Sequence, residues 1–163
     1  MTPDWRLGAL VAVAAPVAAE APAASPLAAW HGEWSGAGTA FGQPATATLT
    51  IGPVAEGDST RLVYRLSIEG PPPMTYGAEA TYRVDAKGRV SGIWIDSRGR
   101  TRPVGGRVSA ENWINNWGSA DVEIGRSTYR LETPDRLVVS DSVLDDDGSW
   151  RTFAMLHYRR NKP

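Results

Sequence analysis

Leu62, Tyr64, Leu66 and Ile68 occupy every second position of a run whose intervening residues are Val63, Arg65 and Ser67. Such alternation sends successive side chains to opposite faces of an extended strand, one toward a core and the other toward water. Similar short runs recur along the chain, at 32–41, 44–52, 77–85, 89–96, 101–108, 111–118, 127–132, 136–144 and 149–159. Turn residues separate them, as at Ala86-Lys87-Gly88 and Asp147-Gly148, the composition of tight hairpins. No stretch after Trp30 makes a convincing helix, and Trp113, Asn115 and Trp117 keep strand spacing where one or two helical turns are the alternative. Alternation alone does not separate a sandwich from a barrel, but short links nearly throughout suit an up-and-down meander. The two ends add to this. Trp34 enters the first run and Arg160 leaves the last, so a guanidinium can lie on an indole where the sheet closes; Arg159 is the rival on the opposite face. The expected fold is an all-β, closed antiparallel up-and-down β-barrel of about ten strands.

A chain of 163 residues is economically served by a single core. It contains no cysteine, so that core must supply stability without disulfides. Seventeen basic against 18 acidic side chains leave a net charge of -1, which provides no overall field for nucleic acid or an anionic membrane. Arg6 precedes the apolar stretch Leu7 to Val17, and small residues at Val17 and Ala19 follow. These mark a signal peptide with cleavage after Ala19, Ala24 being the alternative site, and the stretch is too short to span a bilayer. Removing it leaves the net charge unchanged, because Asp4 and Arg6 go together. The organisation expected is a signal peptide at 1–19, a flexible Ala/Pro-rich lead at 20–29 and a barrel domain at 30–163, with the mature protein periplasmic or secreted and without an integral membrane segment.

Three segments carry a resemblance: Trp30-His-Gly-Glu-Trp-Ser-Gly-Ala-Gly38, Gly125-Arg-Ser-Thr-Tyr129, and Trp150-Arg-Thr-Phe153 continuing through Tyr158-Arg-Arg160. They resemble a bacterial calycin-type family of unknown function, itself similar to nitrobindins, fatty-acid-binding proteins and lipocalins. The resemblance implies a closed barrel with an internal cavity. Nitrobindins bind haem through a His on the last strand, in a segment ending in Tyr and two basic residues. Anchoring on Tyr158-Arg159-Arg160 puts that ligand position on Met155, with His157 one pleat further along the same face. Either side chain can serve as an axial ligand. The bland alternative is that Phe153, Met155 and His157 form one ordinary strand face, with the His hydrogen-bonded near the rim.

Seven tryptophans, Trp5 in the leader among them, make the chain rich in a side chain that lines cavities and also fills cores. Trp34, Trp94, Trp117 and Trp150 can all be read as filling; Trp94 and Trp117 are the better candidates for cavity contacts. Arg98, Arg100, Arg102 and Arg107 surround the Gly99 turn. They read as solvated hairpin charge, with an anionic head group at the barrel mouth or a nucleic-acid phosphate as the functional alternatives. Asp145-Asp146-Asp147-Gly148 fails the EF-hand spacing, since Val143 and Ala154 would have to be its first and last ligands. His31-Gly-Glu33 lacks the cysteines of a zinc deaminase. Gly36-Ala-Gly38 opens no helix, and Gly57-Asp-Ser59 has no His at triad spacing. Pro71-Pro-Pro73 with Met74 and Tyr76 makes a stiff connection or a portal lid. No catalytic residue, metal site or required cofactor is identified. The readings are a barrel binding a small, largely apolar ligand or lipid through Trp94, Trp117, Phe153, Met155 and His157, a haem barrel with nitric oxide or peroxynitrite chemistry, or an envelope interaction module without a ligand. A homodimer is compatible with each.

Overall fold

The structure, a computed structural model, describes residues 25–54, 58–119 and 123–162. The expected signal peptide at 1–19, residues 20–24 of the expected lead and Gly57 lie outside them. Ten antiparallel strands follow one another in chain order: β1 (Gly32–Ala40), β2 (Gln43–Pro53), β3 (Ser59–Ile68), β4 (Met74–Val84), β5 (Arg89–Asp96), β6 (Thr101–Val108), β7 (Asn112–Ser119), β8 (Glu123–Thr133), β9 (Arg136–Leu144) and β10 (Trp150–Arg160). Each pairs with its sequence neighbour, and β1 pairs with β10 to close the barrel. The up-and-down meander is therefore complete. Some strands start earlier than alternation suggests: β3 begins at Ser59, β4 directly after the proline run, and β8 reaches back to Glu123 because Gly125 and Ser127 continue the inward parity of Tyr129.

At the seam Trp34 stands opposite Arg160, whose guanidinium carbon lies 4.1 Å from the indole centroid. The same guanidinium donates to three backbone carbonyls: Pro134 at 2.8 Å, Ala29 at 3.0 Å and His31. Gly32, at φ +140°, has no side chain to obstruct this approach. Arg159 takes the outer face, opposite Ser35.

Residues 25–30 are packed against the barrel and do not form a free lead. A 3-10 turn at Ala28–Trp30 carries Leu27 and Trp30 into one end of the barrel, where both are fully buried. Each apolar side chain buried there contributes on the order of 2 kcal/mol. Trp30 meets the edge of Trp113 at 6.0 Å between ring centroids, Tyr82 meets Trp113 edge-on at 4.9 Å, and Tyr129 stacks on it at 4.7 Å. Trp113 donates to Asn115 Oδ1 at 2.8 Å, which satisfies the polar atom of its buried indole. This end is plugged, and the other end is bordered by the β1–β2, β3–β4, β5–β6 and β9–β10 connections.

On β10 the register shifts between Thr152 and Ala154, so Phe153 is an extra residue opposite β9. Such a bulge exchanges the faces of everything beyond it. Ala154, Leu156 and Tyr158 point inward and are buried, whereas Met155 and His157 are exposed on the outer face.

Candidate functional site

The open half of the barrel holds a cavity of about 340 Å³, inside the range of small-molecule sites. Its wall is largely aromatic and aliphatic: Leu49, Tyr64, Leu66, Tyr76, Trp94, Trp117, Tyr129, Val139 and Phe153. Trp94 and Trp117, singled out from the sequence, both line it, and so does Phe153 from its bulge. Met155 and His157 do not. The haem expectation places an axial ligand on one of them, and neither reaches the interior, so the residues do not fit a haem held inside. Trp150 also lies outside, with the Arg126 guanidinium 4.0 Å from its ring centroid.

Each cavity tryptophan is fixed by its indole N–H. Trp94 donates to the Tyr76 hydroxyl at 3.0 Å, and Trp117 donates to Ser127 Oγ at 3.1 Å. Trp117 is also held by its faces. The Arg102 guanidinium lies 5.1 Å from its ring centroid, and the bare backbone of Gly125 opposite on β8 receives its six-membered ring. A methyl group at Gly125 would overlap that ring. Gly125→Ala should therefore tilt the indole and cost about 1 to 2 kcal/mol, the usual penalty of overpacking. A urea melt followed by tryptophan emission would register both effects; an unchanged spectrum and midpoint would mean that the ring is not held there.

Three of the four clustered arginines, Arg98, Arg100 and Arg102, line the mouth together with Glu123, Phe41 and Met74. Arg107 is at the other end of β6. Arg100 is neutralised locally: Asp96 Oδ2 accepts its Nε at 3.1 Å, while Asp96 Oδ1 accepts the backbone N–H groups of Arg98 and Arg100 at 2.9 Å. Those bonds hold the Asp96 carboxyl below its ordinary range despite its burial. Arg98 and Arg102 have no ion pair among the described residues. Phe41 stacks on Phe153 at 4.9 Å and is itself 60% exposed, an apolar lip at the opening.

The interior also contains a carboxyl group that sequence analysis did not select. Asp141 shares the inward face of β9 with Leu137 and Val139, borders the cavity, and accepts the Ser127 hydroxyl at 2.5 Å. Burial raises its pKa to about 6, against a smaller opposing effect of that hydrogen bond. The parity was legible: a charged residue on the apolar face of an alternating run points into the barrel, and Asp141 is half-buried there where it borders the cavity.

Elsewhere, the Asp145–Gly148 segment is a hairpin tip in which Asp145 pairs with Arg151 at 3.0 Å and Asp147 Oδ1 accepts the Ser149 N–H at 2.9 Å. A larger, shallower depression of about 920 Å³ lies on the outside of β1–β5. Its charges are already matched, Glu79 with Arg65 at 3.9 Å and with the neighbouring Arg61 at 2.6 Å, and Asp96 with Arg100 at 3.1 Å, so it offers less than the enclosed aromatic cavity. Among the described residues no helix is long and apolar enough to cross a membrane.

Fold and site together define a closed antiparallel β-barrel plugged at one end and hollow at the other. Among solved structures it is similar to the crystal structure of Rv2717c from M. tuberculosis, with a TM-score of 0.61 and 18% identity over 87% of this chain and 99% of that one. A de novo designed fluorescence-activating β-barrel aligns with a TM-score of 0.45 and 12% identity over 85% of this chain and 99% of that one. The first likeness concerns the fold alone, and the second is too distant to add to it. No family model and no curated protein matches the chain.

Proposed function

We infer that this protein is an exported, calycin-like barrel that holds a small, largely apolar molecule in its interior and performs no catalysis of its own. The observation that carries the reading is the aromatic cavity of about 340 Å³, open on one side and lined by Trp94, Trp117 and Phe153. A wall of this kind gains from expelling water onto an apolar guest, and its tryptophans are oriented before any guest arrives. Export rests on the sequence alone, on Arg6 and the apolar stretch Leu7 to Val17. An interaction module with a filled interior is less well supported, because the cavity leaves the open half unfilled.

Native mass spectrometry with an absorbance spectrum, on protein expressed with its leader and recovered gently from the periplasm, tests both parts. A bound small mass and no Soret band are expected. Trp117→Ala should weaken the retained guest about tenfold, the loss of one aromatic contact worth roughly 1.4 kcal/mol. A bare protein that also ignores added fatty acids and aromatic probes would end the container reading; a protein retained in the cytoplasm with its leader uncut would end the export reading.

A further inference from the structure

At Asp141 the cavity ceases to be apolar. A carboxylate offers about four acceptor positions, and Ser127 is the one protein side chain among the described residues that donates to it. No basic side chain among them stands close enough to hold it ionised; its raised pKa has burial as the cause and no opposing cation. Its charge instead acts on four phenols that converge from other strands, Tyr64 of β3, Tyr82 of β4, Tyr129 of β8 and Tyr158 of β10. The Tyr82 hydroxyl is buried and has no hydrogen-bond partner among the described residues, while the Tyr158 hydroxyl is paired with that of Tyr64. Buried polar atoms in native proteins are nearly always partnered. The cavity reaches Asp141 together with Ser127, Tyr64 and Tyr129, so an interior carboxyl with unused acceptor positions stands at its wall.

We propose that the Asp141 end of the cavity is a subsite for a protonated amine, and that the natural guest is a small apolar or aromatic molecule carrying an ammonium group. This deepens, and rests on, the container reading. An ammonium brings the positive charge that Asp141 lacks and three N–H donors for the carboxylate positions that Ser127 leaves open. Its alkyl or aryl body then lies against Trp117, Trp94 and Tyr64, whose ring faces also favour a nearby cation. A neutral hydroxyl would satisfy a hydrogen bond but leave the charge uncompensated. An anion would be repelled from this end and attracted to Arg98 and Arg102 at the mouth.

Calorimetric titration at pH 7.5 with three probes on one ring tests the assignment: 1-naphthylmethylamine, 1-naphthalenemethanol and 1-naphthoate. The amine should bind at least tenfold more tightly than the alcohol, and the carboxylate most weakly. In Asp141→Asn, which retains an oxygen for Ser127, the amine should lose its advantage over the alcohol, and the urea midpoint and tryptophan emission of the variant report whether the cavity is intact. An amine no better than the alcohol in the unaltered protein overturns the subsite and leaves the container standing, as does an amine preference that survives Asp141→Asn. The unaltered protein decides by itself should the variant misfold. If none of the three probes binds, the container reading falls and the subsite with it.

Discussion

Arg160→Ala is expected to lower stability by about 3 kcal/mol, the largest loss from any single change considered. The guanidinium donates to the carbonyls of Pro134, Ala29 and His31 and lies 4.1 Å from the Trp34 centroid. Hydrogen bonds from a charged donor contribute on the order of 1.5 to 3 kcal/mol each, and a cation over an indole roughly 1 kcal/mol. The partial exposure of the side chain and re-solvation of the freed carbonyls reduce that sum to the figure given. Arg160→Lys should recover only a part, since an ammonium lacks the planar fork that reaches three acceptors and stacks on a ring. In urea the midpoint should move down with the slope unchanged, and the thermal midpoint should fall by about 10 °C. A loss under 1 kcal/mol would show that backbone pairing between β1 and β10 closes the barrel unaided.

Asp141→Asn should act in the opposite direction. The folded protein raises the Asp141 pKa from 3.8 to about 6 by burial, so the folded state binds this proton more tightly than the unfolded chain does. Below pH 3.8 both states are protonated and the group is neutral in the balance. Between pH 3.8 and about 6 its contribution declines as pH rises, and above 6 the penalty is constant. At about 1.4 kcal/mol per pKa unit the full penalty is roughly 3 kcal/mol, an upper bound because the carboxyl borders a cavity that water can enter. The variant should unfold several degrees higher than the parent at pH 7.5, with the gap closing by pH 4. A gap that does not change with pH, or a less stable variant at pH 7.5, would contradict a buried carboxylate here. The same substitution is expected to abolish amine selectivity, so stability and binding would pull in opposite directions at one residue.

Nearly every strand was legible because each buries one face and shows the other to water, as Leu62-Tyr64-Leu66-Ile68 does on β3. The seam was legible for a similar reason, because Trp34 and Arg160 carry complementary chemistry to the two ends that must meet. The faces of β10 were not. Phe153 is squeezed out of register by one residue, and nothing in Thr152-Phe153-Ala154 announces a bulge, since both Phe153 and Ala154 suit an inward position. One slipped residue therefore moved Met155 and His157 from the lumen to the outside. Leu27 and Trp30 were obscured by their surroundings: an Ala/Pro-rich stretch has no periodicity, and their burial depends on a barrel end formed by strands far along the chain. Asp141 was missed although its position on the Leu137-Val139 face was readable, because the aspartates that follow it drew attention to the hairpin tip.

The junction of β1 with β10 also has a kinetic meaning. Ser35 and Asn161, hydrogen-bonded at 3.0 Å, are separated by 126 positions in the chain, so the last ladder must wait for almost the whole polypeptide to be made and gathered. Until then two strand edges stay unpaired and able to recruit other chains. Non-local pairing of this kind slows folding to milliseconds or longer, an interval in which the chain can still be threaded through a narrow pore or captured by a chaperone. Once the ring is complete no strand edge remains for another chain to pair with.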